Sequence, residues 1–263
     1  MPTLVLPPRF TTDSNAVRAA ALRAGWAIER LTGWRVATPI GDPVLYGEPL
    51  FAAVVAPQLG LALLEPTLEW LAGLPPALLG RSVRFTTLAA ARGLPGPVFV
   101  KPADEKAFEA QVWASGAALP GPELLPDHLA VLVADPVAWE LEVRCVVVDG
   151  QVVTCSPYLR RGVLCQAEDG TWPATPAELD AARAFAAAVI VEVPLPPAVV
   201  LDVGLLSVGA WAVVEANPCW GSGVYGCDPD GVLRAARRAS VPLGRVTPAD
   251  APWIVTRRGD QAL

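Results

Sequence analysis

The 263-residue sequence holds one histidine, one methionine and five cysteines, and only 17% of its residues are charged. A lone histidine, His128, and thiols without close paired spacing argue against a zinc site. An odd number of scattered cysteines suits a reducing compartment, so a cytoplasmic location is expected. An excess of positive charge is also missing. The formal net charge is −6 and the pI about 4.9, which speaks against a general binder of nucleic-acid backbones. Arg234, Arg237 and Arg238 read as a solvated helix face.

Long apolar runs are lacking too. Residues 50–64 are interrupted by Pro57 and Gln58, and 184–201 by Glu192, Pro194, Pro196 and Pro197. Neither stretch supplies the ~20 uninterrupted apolar residues of a membrane helix. MPTLVLPPRF has no basic start followed by an apolar run, so no targeting segment is expected. What the chain does have is 53% hydrophobic residues, ample for a core.

The first third reads as α/β. TLVLP predicts a strand, NAVRAAALRAG a helix capped by Asp13 or Ser14 and closed by Gly25, and LFAAVVA (50–56) a buried strand. LEPTLEWLAGL predicts a short helix ended by Pro75 and Pro76. PVFVKP is an apolar strand delivering Lys101 at its end, and DEKAFEAQVWASG is expected to follow as a helix. From 129 onward strands dominate. LAVLVADP is one strand, and WELEVRCVVVDGQVVTCSPYL is a hairpin turning at Asp149-Gly150. TPAELDAARAFAAAVI is a helix opened by a Thr-x-x-Glu capping box. VVLDVGLLSVGAWAVVEANP is a second hairpin, and DPDGVLRAARRAS a further helix.

Folding the second hairpin at Val208-Gly209 sets Asp202 directly opposite Glu215, with Asn217 on the same face. Opposed carboxylates repel, and among Val200, Val203, Val213 and Val214 that repulsion is poorly screened. Each acid is expected to stay protonated or to recruit a cation. Neutralising either one should then leave the metal-free protein no less stable. Hard oxygen ligands of this kind suit magnesium; a one-residue slip of the turn would separate the acids and leave no such site. Two strand-borne cations accompany them. Lys101 ends an apolar strand, and Arg144 sits mid-strand in ELEVRCVVV, where a nearby acid such as Glu142 is an ordinary partner. Cations and magnesium together are what a polyphosphate needs. Gly221, Ser222 and Gly223 free the backbone to approach a ligand and to aim N–H groups at a carboxylate or oxyanion, or form a plain turn with Trp220 and Tyr225 packed as core. Arg160 and Arg161 are candidates for gripping an acidic substrate, or surface charge.

PVFVKP, VLVADPVAW, ELEVRCVVVDGQVV, LDVG and VVEANP with its glycine-rich turn occur in an order that resembles the ATP-grasp superfamily of carboxylate–amine ligases, over roughly residues 80–240. The segments FVKPADEKAF and EANPCWGSGVYG look most like those of small bacterial and phage ATP-grasp proteins. The resemblance implies an α+β fold of two subdomains gripping ATP, 80–135 and 136–263, behind a small α/β domain, 1–79. It implies that Lys101 contacts ATP and Arg144 stabilises the transferred phosphoryl group, with Asp202, Glu215 and Asn217 holding magnesium. Backbone groups of Val133 and Ala134 would read adenine, with Asp135 or Glu140 on the ribose. Arg81 or Arg84 would stand where the family usually has its first phosphate-binding lysine. After Lys101 many members carry a glycine-rich loop; here ADEKAF has none, and Lys106 supplies charge there or is simply solvated.

The implied activity is ATP- and magnesium-dependent joining of a small-molecule or peptide carboxylate to an amine through an acyl phosphate. A phosphotransferase, or a nucleotide-sensing module without turnover, is the alternative on the same fold.

Overall fold

The computed structural model describes residues 1–104 and 107–254. Lys106 lies outside the described residues.

At the N-terminus β1 (Thr3–Leu6) is flanked by β2 (Ala27–Arg30) and β3 (Pro43–Leu45), both parallel to it. The helix α1 (Thr12–Arg23) connects β1 to β2; its cap is Thr11, in a reciprocal capping box with Ser14, rather than Asp13 or Ser14. The stretch expected as a strand at 50–56 is instead the helix α2 (Pro49–Gln58). Pro49 in its first turn presets a helical φ, and the buried residues Phe51, Ala52, Val55 and Ala56 recur at helical spacing. The exposed side chains, Leu50 and Val54, are apolar too, which hides the period in the sequence. The short strand β4 (Leu61–Leu63) follows, then a single 3₁₀ turn at Trp70–Gly73 where a helix was expected, and α3 (Pro76–Leu79).

A four-stranded antiparallel sheet comes next. It contains β5 (Val83–Thr87), β6 (Val98–Pro102), β7 (Gln111–Trp113) and β8 (Ala130–Ala134) in the order β5-β8-β6-β7, with α4 (Leu88–Arg92) after β5. The helix expected over 104–116 gives way to β7 in its described part. Val112 and Trp113 pair with Phe99 and Val98 across the ladder, and Gly116 fits tightly against the carbonyl of Ala91.

The largest sheet is antiparallel and carries β9 (Trp139–Val148), β10 (Gln151–Arg160), β11 (Val163–Leu164), β12 (Ala198–Leu206) and β13 (Trp211–Asn217), ordered β11-β10-β9-β12-β13. The β9–β10 turn is the two-residue one expected, with Asp149 at φ 47° and Gly150 at φ 77°, the positive pair of a type I′ turn. One face of this sheet is apolar. Leu141, Val143, Leu201 and Val203 pack there under α5 (Pro176–Glu192), whose Thr175–Glu178 capping box is present as expected. Full burial of a side chain such as Leu201 contributes ~1.5–3 kcal/mol. The opposite face carries Glu142, Arg144 and Asp202. The helix α6 (Pro229–Ala239) packs on that side, and β14 (Ser240–Pro242) returns the chain to pair with β4.

The β12–β13 hairpin differs from expectation in an instructive way. Leu205 pairs with Trp211, so the turn spans three residues, 207–209, with Gly209 left-handed at φ 85°. That register would place Asp202 opposite Val214. A bulge at Val214 takes up the extra residue, and Asp202 faces Glu215 after all.

Candidate active site

Lys101 reaches the site because of strand alternation. Phe85, Leu132 and Lys101 form one row across β5, β8 and β6, whereas Arg84, Val133 and Val100 form the next row on the opposite face. The Lys101 ammonium crosses to the large sheet and bonds the carboxylate of Glu215. Asn217, two residues on, donates its amide to the other Glu215 oxygen at 2.8 Å and lies 3.4 Å from Asp202.

Behind this pair lies a second one. Arg144 forks onto Asp202, with Nε to Oδ1 at 3.0 Å and Nη2 to Oδ2 at 2.7 Å, and gives its remaining arm to the Gly223 carbonyl at 2.8 Å. Its guanidinium stacks on Tyr225 and Tyr158. The expected repulsion between Asp202 and Glu215 is therefore replaced by two ion pairs, one cation for each acid.

The electrostatics follow from burial. Burial alone would lower the Arg144 guanidinium, but Asp202 outweighs it and holds the group above its ordinary value. Burial opposes ionisation of Glu215, yet Lys101 and Asn217 outweigh that and hold its carboxyl down at about 2. Glu142, on the face of Arg144 and two residues before it, is pushed up to about 7 by burial, although the Tyr158 hydroxyl donates to it at 2.8 Å. The sequence suggests Glu142 as the partner of Arg144; the structure supplies Asp202 instead.

A cleft of about 980 Å³ opens over these groups. Lys101, Arg144, Glu215 and Asn217 line its floor, with Gly221, Ser222 and Gly223 along one side and Asp13 and Tyr46 of the N-terminal region on the other. The Tyr46 hydroxyl bonds the Ser222 carbonyl at 2.8 Å, so the N-terminal region and the glycine-rich turn are tied together. A Cβ on Gly223 would lie 2.8 Å from the Tyr225 ring and 3.1 Å from the Asp13 carboxylate, and that crowding accounts for the glycine. Among the described residues, no group of three or more acids, histidines or cysteines could hold a metal by itself.

A family model for an ATP-grasp domain, the second family of its clade, matches residues 78–235. The chain belongs to that family. No curated protein matches the sequence. Among solved structures, a RimK domain ATP-grasp protein from Sphaerobacter thermophilus superposes with TM-score 0.54 at 15% identity, covering 91% of this chain and 99% of that one. D-cycloserine synthetase superposes with TM-score 0.54 at 17% identity over 90% and 98% of the two chains. D-alanine–D-alanine ligase from Bacillus anthracis gives TM-score 0.53 at 12% identity over 90% and 98%. These likenesses establish the ATP-grasp fold.

Within that fold the remaining candidates are dispersed. Val133 and Ala134 are interior to β8, paired on both sides, and Asp135 accepts the Ser82 N–H at 3.0 Å where β8 ends. Glu140 pairs with Arg161 at 2.7 Å, and Arg160 with Glu178 at 2.8 Å, all away from the cleft lining. Arg84 borders a smaller cleft of about 490 Å³ with Phe85 and Glu69. Arg81 is bound to backbone carbonyls of β13. Arg237 and Arg238 pair with Asp42, Asp149 and Asp250. All five cysteines are free thiols. Sequence reasoning missed Tyr158, Tyr46 and Asp13; of these only Tyr158, in the strand pairing with ELEVR, had a signal to follow.

Proposed function

We propose that this ATP-grasp protein is a ligase that uses magnesium-ATP to activate a carboxylate as an acyl phosphate for attack by an amine. The observation that carries the reading is the meeting of Lys101 and Glu215 across the floor of the cleft between two sheets. The ATP-grasp core would comprise 80–135 and 136–263, with 1–79 forming the outer wall of the cleft.

The donor set fits magnesium in part. Glu215 and Asn217 offer oxygens at the cleft floor, the hard-ligand type the ion prefers. Asp202 is fully buried with both oxygens on Arg144, and would act from behind by orienting that arginine. Bound magnesium-ATP supplies a transferable phosphoryl group and part of the neutralising charge. Lys101 would release Glu215 to the metal and turn to phosphate oxygens. Arg144, fixed by Asp202, Gly223 and Tyr225, presents a positive charge that needs no reorganisation as negative charge develops. A small-molecule or peptide carboxylate and amine would enter beside Gly221–Gly223.

Incubation with magnesium-ATP and a panel of carboxylates and amines tests this. ADP release that requires both partners, with a new amide by mass spectrometry, is expected. Binding of magnesium-ATP without turnover for any pair would favour a nucleotide-sensing module.

A further inference from the structure

The side chains of Glu215 and Asn217 face the cleft only because of the bulge. Val213 and Ala216 both pack toward the apolar face under α5. Alternation from Val213 would send Glu215 and Asn217 into that same core, since a shift of one residue exchanges the two faces of a strand. The extra residue, Val214, reverses the alternation.

A bulge leaves backbone groups without ladder partners, and one side chain meets that need here. The Arg81 guanidinium donates to the Val213 carbonyl at 2.8 Å and to the Val214 carbonyl at 3.0 Å. Successive carbonyls of a regular strand point to opposite edges, so one guanidinium can take both only where the strand is bulged. The same arginine donates to the Leu79 carbonyl at 2.9 Å and lies over Trp139 at 5.1 Å. Trp139 in turn fits against Gly204, where a Cβ would sit 2.5 Å from the ring. Arg81 thus spans from the segment that enters β5 to the edge of the large sheet.

We propose that Arg81 is a positioning residue that locks the Val214 bulge and so holds Glu215 and Asn217 on the cleft side, opposite Asp202. It acts through the backbone of β13. Its hydrogen bonds go to the carbonyls of Leu79, Val213 and Val214, so the role differs from that of the phosphate contact expected at this place. The link to metal binding rests on the magnesium-ATP reading of the same site.

Two measurements on Arg81→Ala and Arg81→Lys test it, with Arg92→Ala as control. Arg92 also holds two carbonyls, those of Pro120 and Leu125, but in the small sheet's surroundings. Lysine keeps the charge of Arg81 without the fork that spans two carbonyls, and it serves if the alanine variant fails to fold. In the ligand-free protein, amide hydrogen exchange over 213–217 should rise at least ~tenfold in the Arg81 variants, the factor that losing one charge-assisted hydrogen bond implies. Arg92→Ala should leave that segment unchanged at matched stability. The magnesium concentration giving a half-maximal ATP-induced melting shift should rise about tenfold or more in Arg81→Lys, as for loss of a group that orients metal ligands. Unchanged exchange at 213–217 overturns the proposal. So does a raised exchange accompanied by an unaltered magnesium requirement. If wild type shows no magnesium-ATP shift at all, the proposed function fails, while the exchange result still decides whether Arg81 holds the bulge.

Discussion

The two ion pairs of the site are chemically alike and environmentally opposite. The Arg144–Asp202 side chains are 7% and 0% exposed, whereas those of Lys101 and Glu215 are 21% and 28% exposed. A buried pair binds its partners to each other, because separating them strands a charge in a medium that cannot solvate it. A pair that reaches water can exchange a partner at little cost. The deep pair is therefore suited to hold geometry, and the outer pair to trade Lys101 for a metal ion. The difference assigns the two acids different work, although they face each other across one ladder.

The largest effect should come from breaking the deep pair. Asp202→Ala leaves Arg144 buried and uncompensated, which costs ~3–5 kcal/mol. Denaturant unfolding of the two proteins measures it. The sign is opposite to that of the sequence-based expectation, in which neutralising either acid relieves repulsion. A variant as stable as wild type would show that the two pairs do not differ.

Much of the site was legible in the sequence, for reasons that can be named. Lys101 ends an apolar strand, the Asp149-Gly150 turn has its own conformational signature, and Thr175 with Glu178 marks the start of α5. Other features were hidden by physics that composition does not carry. In LFAAVVA every position is apolar, so helical and strand periods cannot be told apart. The opposition of Asp202 and Glu215 was reached through a two-residue turn, but the molecule reaches it through a three-residue turn and a bulge that offset one another. Arg144 stands two residues from Glu142 in the chain, yet across the β9–β12 ladder it is level with Asp202, and lateral pairing wins over sequence proximity. The use of Arg81 could not be read at all, because its partners are backbone carbonyls more than a hundred residues away.

A middle-sized effect should appear at Glu142, which shares the buried face with the deep pair but has a hydroxyl rather than a cation as hydrogen-bond partner. Its carboxyl is raised to about 7 by burial. A raised folded pKa means that the neutral form is favoured on folding, so its contribution is full below the unfolded value and is lost as pH rises through about 7. Glu142→Gln keeps an acceptor for Tyr158 and removes the ionisation. The variant should therefore lose less stability than wild type between pH 5 and 8, by roughly 1–3 kcal/mol. Parallel stability–pH curves for the two proteins would mean that Glu142 ionises as freely as an exposed acid.

The smallest change in stability, and the sharpest test of the contrast, is expected at Glu215. Lys101 and Glu215 both reach water, so Glu215→Gln should cost no more than ~1 kcal/mol at neutral pH. The acid side of the curve should also change. The Glu215 carboxyl is held at about 2, so its contribution is present above the ordinary carboxylate range and disappears as pH falls toward 2. The glutamine variant should lack that part of the acid sensitivity. Its response to magnesium-ATP should be affected far more, because a neutral amide oxygen replaces an anionic ligand poorly. Melting each protein with and without magnesium-ATP separates these quantities. A small cost alone with a lost ligand shift fits an exchangeable pair. Early unfolding with the shift retained would make Glu215 a structural acid like Asp202, and the metal would have to be held by other groups.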